Sequence, residues 1–209
     1  MFRPSHHKPN KSEAHQEALS IMCSQINRVV PVPTEEWERF SSLTSYRRIT
    51  KNSHFAQANE PISEIGFCVN GLFRLYYTTA DGNEFNKNFC ASGDFVTCYS
   101  ALLQHVPAYF SIQALADSSL ITIAYADFEA LRPRHLCWEQ LGRLVAEMLY
   151  LNKETREREL LLLSAEERYR LFMQRFGELC EQIPLYHAAS YLGITPVALS
   201  RIRRKLNLG

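Results

Sequence analysis

The sequence predicts an α+β protein: an N-terminal antiparallel β-roll of jelly-roll type, a long dimerisation helix and a C-terminal helix-turn-helix unit. Three observations carry that reading. Gly71, Gly82 and Gly93 stand eleven residues apart, within the turns Asn70-Gly71, Asp81-Gly82-Asn83 and Ser92-Gly93-Asp94, between runs rich in Ile, Phe, Val, Tyr and Leu. Between Cys137 and Leu162 the periodic positions alternate steps of four and three. Residues 185–209, LYHAASYLGITPVALSRIRRKLNLG, read as two short helices about a glycine turn.

In chain order, residues 1–17 are rich in Lys, His, Ser, Asn and Gln and are expected to form a mobile tail, with His6 and His7 in it. The roll domain is placed at 18–131. A helix is expected after Thr34, whose hydroxyl would cap Glu35-Glu36-Trp37. Short strands separated by glycine turns over about residues 46–125 then argue for an antiparallel sandwich. The dimerisation segment is placed at 132–163, with a helix of about 26 residues, ~39 Å, from Cys137 to Leu162 within it. Cys137, Leu141, Leu144, Met148, Leu151, Thr155, Arg158 and Leu162 follow the seam spacing of a two-stranded coiled coil. The same spacing suits a helix lying on the roll. Its length and the late polar positions Thr155 and Arg158 favour a partner helix, with a dimer seam of Leu141, Leu144, Met148, Leu151 and Thr155.

The last unit is placed at 164–209. Ser164-Ala165-Glu166-Glu167 is a capping box that opens a fresh helix, with Phe172, Phe176, Leu179 and Ile183 as its stripe and Pro184 as its end. Ala189 is expected where two helices touch. Gly193 supplies the left-handed turn, Thr195 the next cap and Pro196 the first helical position. Leu199, Ile202 and Leu206 make a dry stripe, and Val197, Ser200, Arg201 and Arg204 lie opposite it.

Charge separates the tip from the rest. The chain carries a formal +1; residues 184–209 hold three arginines, one lysine and no carboxylate, +4, leaving the other 183 residues at −3. A cationic tip on a near-neutral chain suits a polyanion. Six cysteines, at 23, 68, 90, 98, 137 and 180, are never closer than eight residues, so neither a zinc pair nor an iron–sulfur run is present. They read as small core hydrophobes without disulfides. No apolar run approaches a membrane span and no secretory pattern opens the chain, so a cytoplasmic protein is expected.

The order roll, long helix, helix-turn-helix resembles the CRP/FNR superfamily from about residue 46 to 206. The resemblance rests on Gly71, Arg74, Gly82, Glu84 and the Gly93-Asp94-Phe95 turn. Further on it rests on Asp127, Phe128 and Leu131, then on Ala189, Gly193, Arg201 and Ile202. It implies a cyclic-nucleotide-binding-like sensor roll and a homodimeric transcription regulator, not an enzyme, that reads a two-fold symmetric site. The partners implied are double-stranded DNA, a second copy of the chain, RNA polymerase and a small effector, with no membrane and no cofactor. The implied DNA-binding residues are Thr195, Val197, Ser200, Arg201, Arg203, Arg204 and Lys205, with Arg201 as base reader; Tyr186 and His187 either touch the DNA backbone or pack. The effector pocket is assigned to Gly93, Asp94, Cys98, Tyr99, Tyr109 and Phe110.

Three departures from the family pattern stand out. Cys98 occupies the position of the glutamate that holds a ribose, and Ala108 that of the arginine that holds a cyclic phosphate, with Tyr109 beside it. Lys153 and Glu154 replace the adenine-contacting hydroxyl pair, so ordinary cyclic AMP binding is not expected. The iron–sulfur cysteine set is missing. The sequence stops at Gly209, where most members continue into a β-hairpin wing, so more phosphate contact is expected from Arg203, Arg204 and Lys205. Two other functions compete. One is a ligand-binding or dimerisation module whose helix pair contacts protein. The other, more distant, is a cupin-like metalloenzyme, for which the roll supplies only His54 and His105. A haem would draw on His54, His105 and His135.

Overall fold

The computed structural model describes residues 11–206. Eight strands form two four-stranded antiparallel sheets. The first has the order β1-β8-β3-β6 and the second β2-β7-β4-β5. The strands are β1 Thr44–Ile49, β2 His54–Ala56, β3 Glu64–Asn70, β4 Leu72–Thr78, β5 Glu84–Ala91, β6 Phe95–Val96, β7 Ser111–Ala114 and β8 Ser118–Ala124. The jelly-roll arrangement is therefore present, and the glycine turns join β3 to β4, β4 to β5 and β5 to β6. Gly71, Gly82 and Gly93 have φ of +128°, +81° and +95°.

Alternation along the strands sends Phe73 and Leu75 of β4 to the inside with Ile112, Leu120, Val96 and Cys98. The outer face of the first sheet, with Phe67, Ile121 and Ile123, packs against α1 (Lys11–Asn27), α2 (Thr34–Ser42) and the start of α5 (Leu136–Leu162). The outer face of the second sheet, with Leu72 and Phe89, packs against the C-terminal helices. The sandwich is covered on both sides. Helix α3 (Tyr99–Gln104) and α4 (Tyr125–Leu131) complete the roll. Arg132 bridges Glu129 and Glu139, which fixes the corner between α4 and α5.

Several expectations need correction. The tail is helical from Lys11, because Ala14, Ala18, Leu19, Met22 and Ile26 give it a narrow buried stripe on the first sheet; His6 and His7 lie outside the described residues. Thr34 does not cap α2 but is its first residue, after Pro33, and no side-chain cap bond forms. Helix α6 (Ala165–Phe176) stops at Gly177, at φ +49°, and a 3-10 turn over Gly177–Gln182 carries the chain on to Pro184. The capping box forms as read: Glu167 N donates to Ser164 Oγ at 3.3 Å, and Ser164 N to the Glu167 carboxylate at 2.8 Å.

Helix α5 runs 27 residues, about 40 Å. Its seam is divided between two jobs. Leu141 is buried in the chain's own core, which takes it out of an open dimer seam, and half-buried Leu144 packs beside it. Met148 and Leu151 are exposed, and Thr155 is half-buried. A one-face apolar repeat satisfies a sheet and a partner helix alike; here the sheet takes the first three turns.

Candidate nucleic-acid interface

Helices α7 (Leu185–Leu192) and α8 (Pro196–Lys205) meet at Gly193, in the left-handed region at φ +67°. Thr195 Oγ1 accepts from Ala198 N at 3.1 Å, and Pro196 occupies the first position of α8. Leu199 is fully buried, with Ile202 and Leu206 packed beside it and Ala189 closing the contact from α7. This back holds the front in place: Val197, Arg201 and Arg204 are exposed and Ser200 is half-buried. Thr195 spends its hydroxyl on the cap. Arg203 is half-buried close to Tyr169. Lys205 donates to Glu166 of α6 at 2.6 Å, so the acid-free C-terminal segment has an acid at its side after all. That pair is exposed and weak in water.

The unit is fastened to the second sheet. Phe89 of β5 meets Phe172, Phe176 and Tyr191 with ring centroids 5.4–6.2 Å apart. Beside this cluster Arg74, almost wholly buried, donates to Glu84 at 2.6 Å and to Gln113 at 2.7 Å, and lies 3.8 Å over the Tyr76 ring. Its guanidinium also points at His187 Nδ1, 3.3 Å away, as does the Asn86 amide at 3.1 Å. Ser190 Oγ accepts from Asn86 N at 3.0 Å and donates to Glu84 O at 3.3 Å. Both donors need an unprotonated Nδ1. Burial first, and Arg74 second, hold the His187 pKa down to about 4 against 6.5, with Glu84 opposing. His187 is thus a packing residue in this structure.

The sign of the pH effect follows. A pKa depressed on docking contributes stability that is complete above pH 6.5 and is lost as pH falls toward 4. The wild-type chain is expected to lose about 1 kcal/mol per pH unit more than His187→Gln over the upper part of that window. In melting temperature this is about 2–4 °C per unit. Parallel melting curves at pH 6.5 and 5.5 check it; equal losses in both proteins would refute it.

The joint between α5 and the unit is ionic. Glu159, buried, takes Arg175 at 2.6 Å and Arg156 at 3.8 Å. Arg156 lies 3.9 Å over the Tyr191 ring, whose hydroxyl accepts from Arg175 at 2.7 Å. Arg168 donates to Leu163 O at 2.6 Å and to Leu192 O at 3.0 Å, tying the end of α5 to the end of α7. None of these residues was singled out in the sequence, since apart from the Arg156–Glu159 pair their partners lie on other elements.

Of the expected effector residues, Cys98 and Phe110 meet, the Cys98 thiol donating to Phe110 O at 3.5 Å. Cys98 and Phe110 are packed inside the roll, Tyr109 is exposed, and Asp94 accepts from Ala91 N at 2.8 Å within its own turn beside Gly93. Burial pushes the Cys98 thiol up to about 12. Tyr99 borders a cavity on the opposite face of the first sheet. Lys153 and Glu154 are exposed on α5. A cation missed in the sequence, Lys87, lies inside the roll with Nζ 3.9 Å over the Phe110 ring, and burial lowers its pKa. His54 bonds Tyr76 at 2.9 Å, His105 sits in a left-handed turn, and His135 caps α5 through Cys137 N. Among the described residues no three His, Cys, Asp or Glu gather as a metal site would require, and no helix is long and apolar enough to cross a membrane.

Residues 46–135 match the family model of the cyclic nucleotide-binding domain. No curated protein matches the chain. Among solved structures, FixK2 from Bradyrhizobium japonicum is 19% identical with a TM-score of 0.68, over 78% of this chain and 84% of that one. The c-di-GMP responsive global regulator CLP from Xanthomonas campestris is 16% identical with a TM-score of 0.66, over 84% and 92%. The catabolite activator protein of Thermus thermophilus is 21% identical with a TM-score of 0.53, over 88% and 86%. At such identities the likeness is one of fold. Residues 46–135 are thus similar to a cyclic nucleotide-binding domain, and the chain has the fold of solved CRP/FNR-family structures.

Proposed function

We propose that this chain is a sequence-specific DNA-binding transcription regulator that works as a homodimer on a two-fold symmetric site. The observation that carries the reading is α8: a helix seated by a fully buried leucine, with Val197, Arg201 and Arg204 presented to solvent. Such a helix fits the major groove, and two of them one duplex turn apart, ~34 Å, read a palindrome. Arg201 is the base reader, forking onto guanine O6 and N7. Val197 suits a thymine methyl, while Arg203, Arg204 and Lys205 neutralise phosphates. Ser200 takes a base or a phosphate, and Thr195 places the helix.

The exposed apolar side chains on the far half of α5, Met148, Leu151, Leu161 and Leu162 among them, support pairing with a second copy. RNA polymerase belongs to the same reading as a downstream partner. Control by ordinary cyclic AMP is not part of it. The segment offers a buried thiol and a buried alanine where the resemblance calls for a carboxylate and a cation.

The test is duplex binding. DNA selected from random sequence with the purified chain should yield a palindrome that binds two chains per duplex. Arg201→Ala should weaken that site by roughly 1–3 kcal/mol and relax selectivity at one base pair per half-site. Equal loss on selected and random duplexes would make Arg201 a phosphate contact. Absence of any duplex binding at low salt would favour a protein-contacting module.

A further inference from the structure

Against the outer face of the first sheet, beneath the start of α5, lies a cavity of about 40 Å³. Its walls are hydrocarbon apart from the hydroxyl-bearing Thr97 and Tyr99. Two local costs converge on it. Thr97 Oγ1 is buried with no hydrogen-bond partner, a loss that folded chains rarely carry. Gly142 sits in the interior of α5, where glycine is a poor helix former. Nothing steric requires it: a Cβ there would meet Phe128 at 3.6 Å and Arg132 at 3.9 Å, ordinary contact distances. Gly142 is part of the cavity wall, and a side chain there would add bulk to that wall beside Phe128.

From these features we infer that the cavity is a binding site for a small, mostly apolar molecule of about three or four heavy atoms carrying one hydrogen-bonding oxygen or nitrogen. Each feature then has a role. The aliphatic walls hold the apolar part, Thr97 gains its missing partner, and Gly142 keeps the space open. Water fits the site poorly, because it needs two to four polar partners and the walls are largely hydrocarbon. The site is separate from the interior of the roll: Phe67, Ile121 and Ile123 face it, whereas Cys68 and Leu120 face inward. Val145, one turn beyond Gly142, also lines it, so an occupant bears directly on the helix that leads to the DNA-binding unit. As an effector site it rests on the regulator reading; as a binding site it does not.

The test uses the full chain with methyl-labelled Ile and Val, titrated with 1-propanol and, separately, with xenon, and needs no DNA. Shifts are expected at Ile121, Ile123 and Val145, saturating at about millimolar propanol. Thr97→Val should weaken propanol roughly fivefold, the worth of one hydrogen bond, while leaving xenon as tight as before. Gly142→Ala, which the space tolerates, should remove both responses. Shifts that never saturate, or a Gly142→Ala chain that responds like the wild type, would overturn the proposal. Failure to bind DNA would leave this result standing, and the converse holds as well.

Discussion

Gly71→Ala is expected to cost about 4 kcal/mol, from a strained backbone and an overpacked contact together. Gly71 holds φ +128°, a conformation that L side chains rarely adopt. An added Cβ would lie 2.1 Å from Ser118 Oγ and 2.8 Å from the Ser118 Cα. Ser118 has nowhere to go. Its hydroxyl accepts from Leu72 N at 3.3 Å and donates to Ala116 O at 2.7 Å, and its backbone belongs to β8, the strand between β1 and β3. The substitution therefore strains both sheets at their junction. Urea unfolding followed by circular dichroism reads it as a lowered midpoint; a shift equivalent to less than about 1 kcal/mol would show that the turn can relax.

Trp138→Ala should be nearly as damaging, about 3–5 kcal/mol. The indole is fully buried, stacked on Phe40 at 5.2 Å and edge-on to Phe128 at 6.5 Å, and its Nε1 donates to Glu36 at 2.7 Å. Truncation would open a hole between α2, α4 and α5 and leave a poorly solvated carboxylate with only Arg39, 3.7 Å away. Trp138→Phe keeps most of the ring and loses the N–H, so it should fall between the two. If Phe and Ala cost the same, the Glu36 bond rather than packing dominates the site.

What was legible in the sequence was what neighbours decide. Gly193, Thr195 and Pro196 fix a turn, a cap and a helix start within four residues, and all three behave as read. The capping box at Ser164 and the glycine turns of the roll are equally local. The misreadings fall where distant chain decides. The helix read at α5 is present, but nothing in its period says that Leu141 meets a sheet while Leu151 meets solvent. The polar composition of residues 11–17 hid a helix whose buried stripe there is a single residue, Ala14. Gly177 lies inside an otherwise continuous helical pattern, and only its left-handed turn shows that the pattern is interrupted. The contacts that position the C-terminal helical unit were out of reach altogether: Arg74 and His187 are 113 residues apart, and Glu166 and Lys205 are 39 apart.

The serine at 190 has a wider bearing. Strand β5 is the rim of its sheet, and rims offer unpaired main-chain groups on which other polypeptides can grow ribbons. Ser190 occupies two of those groups, Asn86 N and Glu84 O, with one hydroxyl. Were the C-terminal unit to swing away, that rim would be laid bare, so any freedom of this unit comes coupled to a hazard of self-association.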